Sequence, residues 1–73
     1  MEIKVLKKGS KGNEVKAMQT LLIGYGYSCG SSGADGDFGS NTDKALRSYQ
    51  KANALSVDGC CGHKTWAKLL GAG

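Results

Sequence analysis

Apolar side chains recur at helical spacing in three segments of the chain. This spacing predicts helices over 13–23, 40–53 and 63–70. Residues 2–6 begin with an alternating pattern, but no partner strand follows downstream, so we expect an extended arm laid on the core. The predicted core consists of Val5, Leu6, Val15, Met18, Leu21, Leu22, Phe38, Ala45, Leu46, Tyr49, Val57, Trp66, Leu69 and Leu70.

Each predicted helix follows a glycine-rich turn of the same kind. Copies beginning at Asp35 and Asp58 share the pattern Asp-Gly-x-x-Gly-x-x-Thr, and residues 9–15 keep only the Gly-x-x-Gly spacing. Glycine adopts positive φ without steric cost, and an aspartate accepts hydrogen bonds from N–H groups within such a turn. The predicted structural turn residues are Asp35, Gly36, Gly39, Asp58, Gly59 and Gly62, with Gly12, Gly39 and Gly62 as helix N-caps.

A long connection of about sixteen residues between Gly24 and Gly39 has no periodicity, so it is either functional or held by a specific contact. Gly24 is the predicted stop of the first helix. Together these features predict an all-α fold. It is a small three-helix bundle with glycine-rich turns and an extended N-terminal arm, forming one domain over 1–73 with its core at about 5–70.

Composition narrows the class of protein. The 73 residues, with 40% hydrophobic and 22% charged side chains, suit a small folded domain rather than a disordered chain. No run approaches the roughly 18 consecutive apolar residues of a membrane span. Residues 1–8 are too short and too charged for a signal peptide, so an export signal is expected outside this chain. The net charge of +4 is spread along the chain and is explained well by solvated surface.

Candidate catalytic groups are few. The single histidine, His63, lies too close in sequence to Cys60 and Cys61 to form an oriented Cys-His pair. The acids around Asp35 and Asp43 lack the ligand spacing of a calcium loop. We therefore predict no catalysis, no cofactor and no metal.

The three cysteines leave alternatives open. In the aligned turns Cys61 takes the inward position of Phe38, whereas Cys60 takes a polar position, so Cys61 is predicted to be buried and Cys60 exposed. A Cys29–Cys61 disulfide would close about thirty residues and hold the long connection, contributing about 3.5 to 4 kcal/mol. The alternatives are three free thiols, or a zinc site formed by the cysteines and His63.

These motifs resemble the peptidoglycan-binding domain 1 family over nearly the whole chain. The resemblance rests on Gly9-x-x-Gly12-x-x-Val15-x-x-Met18-Gln19-x-x-Leu22, Gly26-Tyr27, Asp35-Gly36-x-Phe38-Gly39-x-x-Thr42-x-x-Ala45-Leu46-x-x-Tyr49-Gln50 and Leu55-x-Val57-Asp58-Gly59-x-x-Gly62-x-x-Thr65-Trp66. It implies a non-catalytic module that binds peptidoglycan in the cell wall and serves a catalytic wall-hydrolase domain in cis or in trans. No nucleic-acid or membrane partner is expected, and the module is expected to be a monomer.

A ligand with sugar hydroxyls, amides and carboxylates would suit a shallow groove with aromatic, hydrogen-bonding and cationic side chains. The candidates come from the long connection and the middle helix. They are Tyr25, Tyr27, Asp37, Ser40, Asn41 and Arg47. Core packing is an equally good explanation for Tyr27, and a solvated helix face for Arg47.

Two other classes of protein compete with this interpretation. A basic helix-turn-helix domain could present Asn41, Lys44, Arg47 and Lys51 to DNA, but the chain has one arginine and a long connection where a short turn is needed. An inhibitory propeptide module shares the fold of the family. The cysteine switch motif of such propeptides, with its flanking arginine and proline, is absent from the sequence.

Overall fold

Three helices begin at the residues that the apolar spacing predicted, and each ends within one residue of its predicted end. The computed structural model describes residues 5–31 and 33–71, and its helices are α1 (Asn13–Gly24), α2 (Ser40–Ala52) and α3 (His63–Leu69). Within these ranges there is no named strand, only two isolated β-bridges. The predicted all-α three-helix fold is therefore confirmed.

All three helices have glycine N-caps, at Gly12, Gly39 and Gly62, as predicted. No side chain caps these helix starts. α1 ends at Gly24, as predicted, and the chain reverses two residues later at Gly26, where φ is 96°.

The core lies between the apolar faces of the helices. Most of its predicted members are buried: Leu6, Val15, Met18, Leu22, Phe38, Ala45, Leu46, Tyr49, Trp66 and Leu69. Leu21 is only partly buried at the edge of this cluster. Val5, Val57 and Leu70 are exposed at 59%, 48% and 53%, so the prediction was wrong for these three.

The exposure of Val5 and Leu70 has a clear physical reason in each case. Leu6 exchanges two backbone hydrogen bonds with Cys61, at 3.2 and 2.7 Å, in an antiparallel bridge. Since side chains alternate along extended backbone, an inward Leu6 leaves Val5 on the outer side. Leu70 is the C-cap of α3, one residue beyond Leu69, which occupies the inward position.

The segment before α1, which includes the end of the N-terminal arm and the first glycine turn, pairs with the two later turns, a partner that the sequence pattern does not show. Besides the Leu6–Cys61 bridge, Lys11 forms an antiparallel bridge with Asp37. The part of the predicted arm at 2–4 lies outside the described residues.

A buried glutamine of α1 holds the first Asp-Gly turn. The Gln19 Nε2 atom lies 3.2 Å from Asp35 Oδ1, 3.0 Å from the Asp37 carbonyl oxygen and 2.8 Å from Thr42 Oγ1. Its Oε1 atom accepts a 2.8 Å hydrogen bond from the Gly36 N–H group. Gln19 is 0% exposed, so this one carboxamide satisfies the inner polar groups of the turn without water.

Gln50 of α2 makes the same set of contacts with the second turn. Its Nε2 atom lies 3.0 Å from Asp58 Oδ1, 2.8 Å from the Cys60 carbonyl oxygen and 3.3 Å from Thr65 Oγ1. Its Oε1 atom accepts a 3.2 Å hydrogen bond from Gly59 N–H. The sequence repeat is thus also a repeat of one hydrogen-bond network.

The predicted Cys29–Cys61 disulfide is not formed, because Cys29, Cys60 and Cys61 are all free in the structure. Cys61 is buried, as predicted, and Cys60 is half-buried rather than fully exposed. The thiol of Cys29 lies with the first turn, 4.0 Å from the Gln19 carbonyl oxygen, whereas Cys61 belongs to the second turn. Hydrogen bonds from Gln19 therefore hold the end of the long connection where the sequence suggested a disulfide.

We predict that Gln19→Leu destabilises the domain by about 3 kcal/mol, because it removes the hydrogen bond to the buried Thr42 hydroxyl and three part-buried hydrogen bonds to the first turn. Urea unfolding followed by circular dichroism measures this change. The matched control is Thr20→Ala at an exposed position of the same helix, which should stay within about 0.5 kcal/mol of the unsubstituted chain. Equal stability of the two variants would contradict a role for the carboxamide.

A second prediction concerns Gly36, whose φ is 80° and where an added Cβ would lie 3.1 Å from the Gly12 carbonyl oxygen. Gly36→Ala should cost about 1 to 3 kcal/mol through backbone strain and this contact. Gly24→Ala is the control, since its Cβ would meet nothing within 4 Å and the residue is helical. Thermal unfolding should show Gly24→Ala to be neutral or stabilising by up to about 1 kcal/mol.

Candidate functional site

Three tyrosine rings cluster where the C-terminal ends of the helices meet. The Tyr25 and Tyr49 ring centroids are 5.6 Å apart with planes at 41°, and those of Tyr27 and Tyr49 are 5.5 Å apart with planes at 86°. Both distances lie in the range of favourable aromatic pairs. Around them is an open groove of about 410 Å³, the tyrosine groove, lined by Tyr25, Tyr27, Tyr49, Ala52, Asn53, Lys68 and Gly71.

The end of α1 places two of these rings. Tyr25 is its C-cap, with its N–H group 3.0 Å from the Leu21 carbonyl oxygen. The chain then reverses at Gly26, and Tyr27 N–H donates to the Leu22 carbonyl oxygen at 2.9 Å. Both rings are thereby brought back over Tyr49 of α2.

The Tyr25 hydroxyl and the Tyr25 ring have different environments. The hydroxyl donates a 2.8 Å hydrogen bond to the Leu69 carbonyl oxygen at the end of α3. Tyr25 is nevertheless 51% exposed, so a ligand in the groove can contact its ring. Tyr27 is half-buried and packs against the core, as one of the two explanations expected, and it also lines the groove.

Polar groups complete the groove. Asn53 Nδ2 donates to the Tyr49 carbonyl oxygen at 2.9 Å, which fixes the amide at the rim. Lys68, half-buried in the last turn of α3, brings a cation to the same rim. Burial raises the pKa of the Tyr49 hydroxyl, with smaller contributions from Tyr25, Tyr27 and Cys61, so it remains protonated at neutral pH.

A second cleft, of about 150 Å³, lies at the start of α2. Its lining residues are Cys29, Asp35, Asp37, Gly39, Ser40, Asn41 and Thr42. The Asp37 N–H group donates to Asp35 Oδ1 at 2.9 Å, and this bond, followed by that from Gln19, lowers the pKa of Asp35. The equivalent bonds from Cys60 N–H and then Gln50 lower the pKa of Asp58 in the second turn.

The structure divides the six sequence candidates among separate places. Tyr25 and Tyr27 line the tyrosine groove, and Asp37, Ser40 and Asn41 line the second cleft. Arg47 lines neither, because its Nε lies 3.2 Å from both carboxylate oxygens of Asp43 on an exposed face of α2.

Sequence reasoning missed the groove positions contributed by the later helices. Tyr49 was expected only in the core, and Asn53 and Lys68 were not candidates. One signal in the sequence could have found them. All three residues lie in or just after the last turn of a predicted helix, as Tyr25 does at the end of α1.

Cys60 and His63 line a third cleft, of about 340 Å³, beside the second turn. Among residues 5–31 and 33–71, no group of three or more His, Cys, Asp or Glu side chains lies close enough to hold a metal ion. None of the helices in the described part of the chain is long and apolar enough to cross a membrane.

A family model described as a putative peptidoglycan binding domain matches residues 11–69. The chain therefore belongs to the peptidoglycan-binding domain family, and the resemblance inferred from the repeated turns is confirmed. This membership favours a wall-binding module over a helix-turn-helix protein.

Individual relatives agree with this assignment. The chain is 41% identical over 69 residues to the N-acetylmuramoyl-L-alanine amidase CwlL of Bacillus licheniformis, covering 94% of this chain and 19% of the amidase. The crystal structure of the SleB N-terminal domain matches with a TM-score of 0.87 and 38% identity, covering 94% of this chain and 92% of that one. A Burkholderia AP3 phage endolysin matches with a TM-score of 0.82 and 35% identity, covering 90% and 24%.

The lowered pKa values of Asp35 and Asp58 predict a pH-dependent stability. A depressed folded-state pKa adds stability above the unfolded pKa of about 3.9, and this stability is lost as the pH falls through the folded value. Urea midpoints should therefore drop below about pH 4. The double variant Asp35→Asn, Asp58→Asn should show a shallower drop, and an unchanged pH profile would contradict the assignment.

Proposed function

We propose that this single, monomeric domain binds peptidoglycan without cleaving it and holds an attached or partner wall hydrolase at the extracellular cell wall. Membership of the peptidoglycan-binding domain family supports peptidoglycan as the ligand. The chain spans 19% of the matched amidase and 24% of the matched endolysin, which supports a role as one module of a larger enzyme.

The observation that carries the proposal is the tyrosine groove. The exposed ring of Tyr25 offers an apolar face to a sugar or an alanine methyl group, while Asn53 and Lys68 offer hydrogen bonds. A volume of about 410 Å³ suits a short segment of a polymer rather than a buried small molecule.

The environment of the reactive groups supports a non-catalytic role. Asp35 and Asp58 accept the hydrogen bonds of their own turns. Burial, with a smaller effect of Asp58, raises the pKa of the Cys61 thiol to about 12, so it is protonated at neutral pH and a poor nucleophile.

A shallow, open groove gives weak binding at each site. The wall presents the same chemical unit many times, and a tethered catalytic domain remains close after each dissociation. Repeated weak contacts thus retain the enzyme at the wall and still allow it to move along its substrate.

We predict that Tyr25→Ala with Lys68→Gln lowers the affinity for purified sacculi about tenfold, measured as the fraction that sediments with them. Ser40→Ala with Asn41→Ala tests the second cleft and should bind as well as the unsubstituted chain. Lys51→Gln controls for the loss of one positive charge, because Lys51 is exposed on α2 and lines none of these clefts.

The outcomes separate the possibilities. Loss of binding only in the second-cleft variant would move the site to Asp37, Ser40 and Asn41. Failure of the unsubstituted chain to sediment would overturn the function itself. Because Tyr25→Ala also removes the hydrogen bond to Leu69, Lys68→Glu, which leaves that bond in place, repeats the test.

A further inference from the structure

We infer that the tyrosine groove recognises the stem peptide of peptidoglycan rather than its glycan strand. Lys68 pairs with a free peptide carboxylate, and the Tyr49 hydroxyl donates to a neighbouring peptide carbonyl. This inference rests on the proposed function and specifies which part of the polymer enters the groove.

The first argument is the Tyr49 hydroxyl. Tyr49 is 3% exposed, and its hydroxyl has no hydrogen-bond partner in the described part of the chain. Every fully buried side-chain nitrogen or oxygen among the described residues has a partner. Tyr49 is also one of the residues that line the tyrosine groove.

This unpartnered hydroxyl marks a place for a ligand atom. A buried ring that leaves its O–H group without a protein partner keeps a hydrogen bond free for water or a ligand. Since the hydroxyl is protonated at neutral pH, it serves as a donor to a carbonyl or carboxylate oxygen.

The second argument is charge. Among the described residues that line the groove, Lys68 is the one lysine, arginine, aspartate or glutamate, and it has no ion pair within that part of the chain. By contrast, Arg47 is already paired with Asp43. The groove is thus a positively charged rim over aromatic rings, which favours an anionic ligand.

The glycan strand and the stem peptide of peptidoglycan differ in charge. In the glycan strand the lactyl carboxyl groups that carry stem peptides are amide-linked, so those sugars are neutral. The stem peptides carry free carboxylates, and their alanine methyl groups are small enough to pack on the Tyr25 and Tyr27 rings. A cation beside aromatic faces therefore distinguishes the peptide from the sugar.

Helix ends near the groove oppose an anion, but weakly. The C-terminal ends of α1, α2 and α3 carry partial negative charge. Their carbonyl groups are largely occupied, for example Leu69 by the Tyr25 hydroxyl and Tyr49 by Asn53. A helix-end effect at the surface is smaller than a direct hydrogen bond between charged groups, so Lys68 decides the preference.

An NMR titration of the full chain tests the inference with three probes. They are a synthetic stem pentapeptide with free carboxylates, the same peptide with every carboxylate converted to a carboxamide, and a tetramer of N-acetylglucosamine. We expect the acidic peptide to shift the Tyr25, Tyr27 and Lys68 resonances and to bind at least fivefold more tightly than its amide analogue.

Variants assign the two contacts. Lys68→Gln should remove the preference for the acidic peptide, Lys68→Arg should keep it, and Lys51→Gln should leave it unchanged. Tyr49→Phe removes only the hydroxyl and should weaken both peptides about threefold, with the preference retained.

Several results would overturn the inference. These are equal binding of the two peptides, tighter binding of the sugar tetramer in the groove, or peptide shifts confined to the second cleft. If the chain sediments with sacculi but neither peptide binds, the inference fails while the proposed function stands. If it binds neither sacculi nor peptide, both fail.

Discussion

The fold depends on two buried carboxamides. Gln19 and Gln50 each bind the carboxylate, the backbone and the threonine of one Asp-Gly turn, and both are essentially inaccessible to water. A buried polar network stabilises a fold only when all its members are satisfied. Here each network is complete, so each turn has one geometry, and that geometry fixes where the following helix begins.

This arrangement separates the scaffold from the site. The turns stand at the N-terminal ends of α2 and α3, whereas the tyrosine groove is formed by residues at or just beyond the C-terminal ends of all three helices. Tyr49 and Gln50 are neighbours in sequence but have different roles. Tyr49 lines the groove, whereas Gln50 binds the second turn. The residues that line the tyrosine groove are therefore different from the residues that hold the turns.

The sequence predicted the helices because glycine spacing and apolar periodicity are local signals. It failed at Val5 and Leu70, where side-chain direction depends on a backbone bridge and on the exact helix end. Sequence reasoning did not group the residues of the candidate site, because the three helix ends that carry them meet only in the folded chain. The sequence also contained a signal for the contact that holds the long connection in place of the predicted disulfide. A glutamine follows the core residue, Met18 or Tyr49, in both repeats.

The two turns differ in the length of chain that each glutamine must close. Gln50 reaches Asp58 across eight residues, whereas Gln19 reaches Asp35 across sixteen. Doubling a flexible loop adds only about 0.6 kcal/mol of closure entropy. The connection between α1 and the first Asp-Gly turn can therefore accept extra residues with little loss of stability. Chains with this fold can differ most in length in that connection, while the Asp-Gly turn that ends it stays the same.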